Sequence, residues 1–146
     1  MQLGELYTHI PTPKFLKGKQ AIVNIENFHD NLCFIYCILA FLYPATNNVK
    51  RVKKYKKHLH KLKYKDIKMP MAVKDIEKFE KINNLIINVY ACQRNEWGDY
   101  EIEIRRISKK SGEAINLLMI EDNGKYHYTL ITDLNKLLGK GNDHPK

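Results

Sequence analysis

Cys33 and His127 are the two residues whose types and settings could carry covalent chemistry. Cys33 falls at the head of a predicted helix, just after a polar turn. There the helix dipole and the unpaired N–H groups lower a thiol's pKa and offer donors to an oxyanion. His127 opens a predicted strand in the context Tyr126-His127-Tyr128. A thiol and an imidazole brought together from distant segments form a nucleophile with its general base. Each residue alone also has an ordinary reading. A cysteine in an apolar helix is usually packing, which is how Cys37, one turn further on, is read. Cys92, at a strand end, reads as core or edge, and His127 by itself reads equally as a satisfied edge histidine. His9 and His144 lie near the termini, and His58 and His60 sit in a lysine-rich stretch. His29 precedes Cys33 by four residues across a turn, a spacing that rarely forms an attacking pair. Cys33, Cys37 and His29 lack a fourth ligand for structural zinc. No HExxH, CxxC, Walker or GxGxxG pattern occurs, and no metal or other cofactor is expected.

The elements that must position these residues are readable in outline. Residues 1–19, with Pro11, Pro13 and Gly18, read as an irregular lead-in, and 20–25 (QAIVNI) as a short strand. The turn-rich 27–32 leads into a helix over 32–42, apolar all round and stopped by Pro44, which must be buried and central. A basic helix over 50–68 follows, with Val52, Tyr55, Leu59 and Leu62 inward. An amphipathic helix over 73–83 turns Val73, Ile76, Phe79 and Ile82 inward. The β-branched 85–92 reads as a buried strand, and 100–107 alternates, with Tyr100, Ile102 and Ile104 on one face. Strands 115–120 and 126–131 flank Asn123-Gly124, a strong hairpin signal. A short helix closes the chain, with Asp133 or Thr132 as N-cap and Gly139 as its stop. Helices followed by strands predict an α+β domain, a central helix packed on a mostly antiparallel sheet of four to five strands.

Composition narrows the class. At 146 residues, 44% hydrophobic and 28% charged, the chain has room for a single globular domain, 1–146. Its longest apolar run is too short for a membrane span, which needs about 20 residues. The first residues have no apolar core of a signal peptide. Three cysteines are an odd number, so reduced thiols and an intracellular location are expected. A monomer is expected, and the ending Gly-Asn-Asp-His-Pro-Lys reads as a boundary within a longer chain. The formal charge of +9 is concentrated: residues 50–68 hold ten Lys or Arg and one Asp, and the remainder balances fifteen against fifteen. Two readings of that stretch stay open. It is a solvated helix face, or a docking surface for an anionic partner such as nucleic acid. No zinc-finger spacing or paired aromatic motif turns it into a defined nucleic-acid module.

The segment Asp30-Asn31-Leu32-Cys33-Phe34 resembles the D-G-N-C-L motif of ovarian-tumour (OTU) type cysteine proteases, which are mostly deubiquitinases. His127-Tyr128 is similar to their second box, a strand histidine followed by an aromatic residue. The likeness covers roughly residues 20–133 and extends to the order of elements. The chain also resembles the viral-tegument-type deubiquitinases, and a cysteine-protease-like domain of large proteins encoded by invertebrate mobile elements. The resemblance implies a papain-like cysteine protease fold and cleavage of ubiquitin or a ubiquitin-like modifier from lysine, with Cys33 as nucleophile and His127 as base. It implies a narrow cleft for a Gly-Gly tail, lined by Tyr128 or by Trp97 in the loop before the second of the four later strands.

Departures from these patterns leave the third catalytic member open. Asn31 replaces the motif's glycine, a substitution compatible with positive φ. Thr129 stands two residues after the histidine, where the OTU pattern often carries Asn or Asp. Lys125 stands two before it, where the tegument pattern carries Asp. Asp133 is the nearest acid downstream, yet an extended strand puts it about 20 Å from His127, and helix capping competes for it. Asp30 reaches the histidine from the nucleophile loop, or braces that loop. Asn27 lies six residues before Cys33, a spacing similar to the oxyanion-hole glutamine of papain-like proteases, or it is a turn residue. Asn27, Asp30 and Asn31 together shape the loop facing the oxyanion. The competing reading is a non-enzymatic basic adaptor that tethers a larger mobile-element protein to nucleic acid.

Overall fold

A computed structural model describes residues 9–94, 96–122 and 124–139. The chain folds as α+β around a five-stranded sheet. In order the elements are α1 (Lys14–Lys17), β1 (Ile22–Val23), α2 (Cys33–Leu42), α3 (Lys53–Lys56), α4 (Ile76–Asn83), β2 (Ile87–Arg94), β3 (Tyr100–Arg106), β4 (Ile115–Asp122), β5 (Lys125–Ile131) and α5 (Leu134–Leu138). The strands lie in the order β1-β5-β4-β2-β3. All neighbours are antiparallel except β2 and β4, which pair in parallel from Ile87 opposite Ile115 to Cys92 opposite Ile120. The mostly antiparallel sheet expected from the sequence is therefore present. No helix among the described residues is long and apolar enough to cross a membrane.

Alternation along the strands splits the core in two. Tyr128 and Leu130 of β5, Leu117 and Met119 of β4, and Val89 and Ala91 of β2 pack with every buried residue of α2. Leu118, Ile120, Ile131 and Cys92 face the other way and pack with Ile10, Leu16 and Leu137. The apolar periphery of α2 explains why it is buried from Cys33 through Ala40.

Several expectations are corrected here. The lead-in is not irregular throughout: α1 and Ile10 cover the second face of the sheet, with Leu16 almost wholly buried. The strand at 20–25 shortens to Ile22–Val23, because Gln20 takes a positive φ of 51° and Asn24 turns its side chain away to other partners. The basic stretch is not one helix. After the single turn of α3 comes a 3₁₀ turn, Leu59–Lys61, and then Leu62 is extended. Ten cations with one acid give such a helix no stabilising i,i+4 partners. The side chain of Asn83 also captures the backbone N–H and C=O of Lys63, at 2.8 and 2.9 Å. Val52, Tyr55, Leu59 and Leu62 still face the core. Ile82 points outward, and Ile104 is 64% exposed because β3 is the sheet's edge.

Candidate functional site

The first residue of α2 is Cys33, and the loop before it is held by side chains. Asp30 accepts from the Leu32 N–H at 3.0 Å and from the Tyr36 hydroxyl at 2.7 Å, tying the turn to the first turn of the helix. The Nδ2 of Asn27 donates to the Asp30 carbonyl at 3.0 Å, and that of Asn31 to the Met69 carbonyl at 3.1 Å. Of their two readings, Asp30 and Asn27 thus take the structural one. The carboxylate braces the loop, and the amide donor proposed for an oxyanion is engaged within it. Asn31 has an ordinary negative φ, so the glycine it replaces in the motif is not needed for backbone conformation.

Helix α2 meets β5 edge-on. The N–H of Tyr128 donates to Cys33 Sγ at 3.5 Å, and Cys37 Sγ donates to the Tyr128 carbonyl at 3.4 Å. Both backbone groups of one strand residue point to the same edge. Where β1 ends, two cysteines one helical turn apart replace the missing strand. Tyr128 follows His127 directly, so the His127 Cα lies no more than about 6 Å from the Cys33 sulfur. The structure thus places the backbone of His127 beside the Cys33 thiol.

His127 is wholly buried and stands opposite Ile120, on the face of the sheet away from α2. Its Nε2 lies 2.6 Å from Asn24 Oδ1. The amide of Asn24 has its own donors committed, to the Ile10 carbonyl at 2.8 Å and to Thr12 Oγ1 at 3.0 Å. That fixes Oδ1 as the acceptor and places the imidazole proton on Nε2. The remaining nitrogen, Nδ1, carries a lone pair and has no hydrogen-bond partner among the described residues. Burial, reinforced by the neighbouring His9, pushes the His127 pKa down to about 3, so the ring is neutral at pH 7.

Asn24, the hydrogen-bond partner of His127, is a residue that motif matching missed. One local signal was present: an asparagine inside the apolar run Ala-Ile-Val-Asn-Ile. A buried amide in such a run requires a specific partner. Asp133 does not fill that place. It caps α5, accepting from the Lys136 N–H at 3.0 Å, at the opposite end of β5 from His127. Tyr128 cannot line a cleft, being wholly buried against Phe34 with its hydroxyl bonded to the Met71 carbonyl at 2.8 Å. Trp97 is 77% exposed in the turn between β2 and β3, and β2 runs about 10 Å from β5. Cys37 and Cys92 behave as core residues. Burial raises the first thiol well above its ordinary value and the second to about 11.

Among the described residues no three His, Cys, Asp or Glu side chains converge as a metal site would require. No family model, no curated protein and no solved structure matches this chain.

Proposed function

We propose that this chain is a thiol isopeptidase or protease with a papain-like arrangement of Cys33, His127 and Asn24. The observation that carries the reading is the state of His127. It is a neutral imidazole with its proton turned toward Asn24 and an Nδ1 unpaired among the described residues, and its backbone lies beside a thiol at the head of a ten-residue helix. Cys-His-Asn is a known solution to acyl transfer on this plan. Asn24 here takes the orienting role that the OTU and tegument patterns give to residues at the positions of Thr129 and Lys125.

The chemistry then follows. The Cys33 proton passes to His127 Nδ1 as sulfur attacks the carbonyl carbon, and the first-turn N–H groups of α2 receive the developing oxyanion. Collapse of the tetrahedral intermediate breaks the C–N bond. The proton on Nδ1 goes to the departing amine, leaving a thioester on Cys33. Water, deprotonated by the same nitrogen, hydrolyses that thioester and restores the thiol. The substrate class, the C-terminal tail of ubiquitin or a ubiquitin-like modifier on lysine, rests on the motif resemblance. The test is labelling by ubiquitin-, SUMO- and other modifier-derived vinyl-type probes. We expect wild-type chain to label at Cys33, with Cys33→Ala and His127→Ala silent. No labelling of either the wild type or a His9→Ala chain by any modifier probe would overturn the isopeptidase reading.

A second reading, a basic adaptor for nucleic acid, is favoured by one observation. Arg51, Lys53, Lys56, Lys57, Lys61 and Lys63 are exposed, and none makes an ion pair with a described residue. Equal, slow alkylation of all three cysteines would support it, together with a gel shift lost between low and moderate salt and on neutralising Lys53, Lys54, Lys56 and Lys57.

A further inference from the structure

The site just described is shut. Neither Cys33 nor His127 exposes any surface, although a protease must place a scissile carbonyl between them. What lies on His127 and Asn24 is the chain's own segment 9–13. The His9 ring packs edge-on against the His127 ring, centroids 4.9 Å apart, and is itself backed by Phe28 at 4.6 Å. His9 Nδ1 lies 3.2 Å from the Ile25 carbonyl. The next residue, Ile10, buries its side chain beside Leu118 and Ile120 and gives its carbonyl to Asn24. Thr12 supplies Asn24 with its second acceptor, and Pro11 and Pro13 hold the segment extended.

We infer that residues 9–13 occupy the groove through which the substrate's extended chain passes the catalytic histidine, so that the protein is self-blocked until this strap is displaced. The inference rests on the protease reading and adds how its substrate gains entry. Three features of the segment favour a removable occupant over a permanent brace. Its contact with the site ends in an open stack, because Phe28, which backs His9, is 55% exposed. The groove flanking it, lined by Pro11, Thr12, Lys17, Asn24, Glu26 and Lys50, has a volume of about 300 Å³ and opens to solvent beside the strap. Its hydrogen bonds to Asn24 use a backbone carbonyl and a hydroxyl, acceptors that any extended peptide or water supplies equally well. An extended substrate thus replaces the strap without leaving Asn24 unsatisfied. Displacement also restores water to His127, relieving the burial that holds its pKa down to about 3.

The test uses the full chain and iodoacetamide, with alkylation of each cysteine read by peptide mass spectrometry under native conditions. His9→Ala and Phe28→Ala remove the ring contacts, and Thr12→Val removes one acceptor while leaving both rings in place. We expect Cys33 to alkylate about tenfold faster in the ring variants and less markedly faster in Thr12→Val, with Cys37 and Cys92 unchanged. An unchanged Cys33 rate in all three variants would overturn the inference. So would a parallel rise at all three cysteines, which would make the segment a structural brace. The two readings fail separately. Faster Cys33 alkylation without labelling by any modifier probe keeps the strap and discards the isopeptidase. Probe labelling at wild-type rate in every variant keeps the isopeptidase and discards the strap.

Discussion

Two buried polar clusters lie on opposite faces of the sheet, and they are finished differently. On the α2 side, Glu80 accepts from Arg106 at 2.9 Å and from the Ile87 N–H at 2.7 Å, and Arg106 donates a second time to the Ile87 carbonyl at 2.7 Å. Burial alone would raise the Glu80 pKa. The hydrogen bonds from Arg106, Ser108 and the Ile87 N–H outweigh it, and the carboxyl titrates below its usual value. On the other side, His127 and Asn24 are equally enclosed, yet His127 Nδ1 has no partner among the described residues. A buried polar atom left unpaired costs about 1–3 kcal/mol. Asn27 Oδ1 and His58 Nδ1 are left in the same state. The first cluster clamps α4 to β2 and β3; the second joins the end of β1 to β5 and leaves one ring nitrogen unpaired among the described residues.

Cutting the clamp gives the largest expected effect on stability. Arg106→Ala leaves Glu80 charged and buried without its ion-pair partner, and should cost about 3–5 kcal/mol. Urea unfolding should show a lower midpoint with an unchanged slope. Native-state alkylation of Cys33 should keep its wild-type rate, because the clamp lies across the sheet from the strap. A loss under 1 kcal/mol, or a change in Cys33 reactivity, would erase the distinction between the two clusters.

Acid titration probes the second cluster. The His127 pKa is about 3 in the folded chain and about 6.5 when unfolded. Between those values the unfolded chain binds a proton that the folded chain refuses. Stability therefore rises with pH across this window, and is lost as pH falls from about 6.5 toward 3, by up to ~1.4 kcal/mol per unit. His9, its pKa also lowered chiefly by burial, adds to the same window. Glu80 contributes only below the ordinary carboxylate range. Urea unfolding at pH 7, 6 and 5 should show this decline, and His127→Gln should remove about one proton's worth of it. A flat profile in the wild type would mean that water reaches the ring and the site is not shut.

The comparison also marks where the sequence was legible. Helix α2, the strands of the later half, the antiparallel pairing of β4 with β5 and the core role of Cys37 follow from local periodicity and turn chemistry, while Asn123 lies outside the described residues. Such signals need only neighbouring residues. The choice of Cys33 and His127 rested on residue type, setting and motif likeness. Asn24 was not chosen, because its partner is 103 residues away and no local pattern encodes a hydrogen bond across that distance. The basic stretch misled for a related reason. Its apolar spacing reports which side chains face the core, and they do, but the Asn83 amide that breaks the helix comes from another element. The strap was invisible for the same cause, since residues 9–13 show no periodicity and their partners lie just after β1 and on β5.

Asp133 gives the smallest expected effect and sharpens the assignment of the third residue. It is the acid nearest His127 downstream in the sequence, so chain order alone favours it over Asn24. Geometry assigns the two residues different work: Asp133 caps a five-residue helix, and Asn24 holds an imidazole. Asp133→Ala should cost about 1 kcal/mol, the usual value of an N-cap side chain, and leave the Cys33 alkylation rate and its pH profile unmoved. Asn24→Ala frees Nε2, so the ring can move its proton to Nδ1 and lose its base. In that variant Cys33 reactivity should fall about 10–100-fold. The reverse pattern, with Asp133→Ala silencing Cys33 and Asn24→Ala leaving it unchanged, would return the orienting role to the carboxylate and require β5 to bend after Ile131.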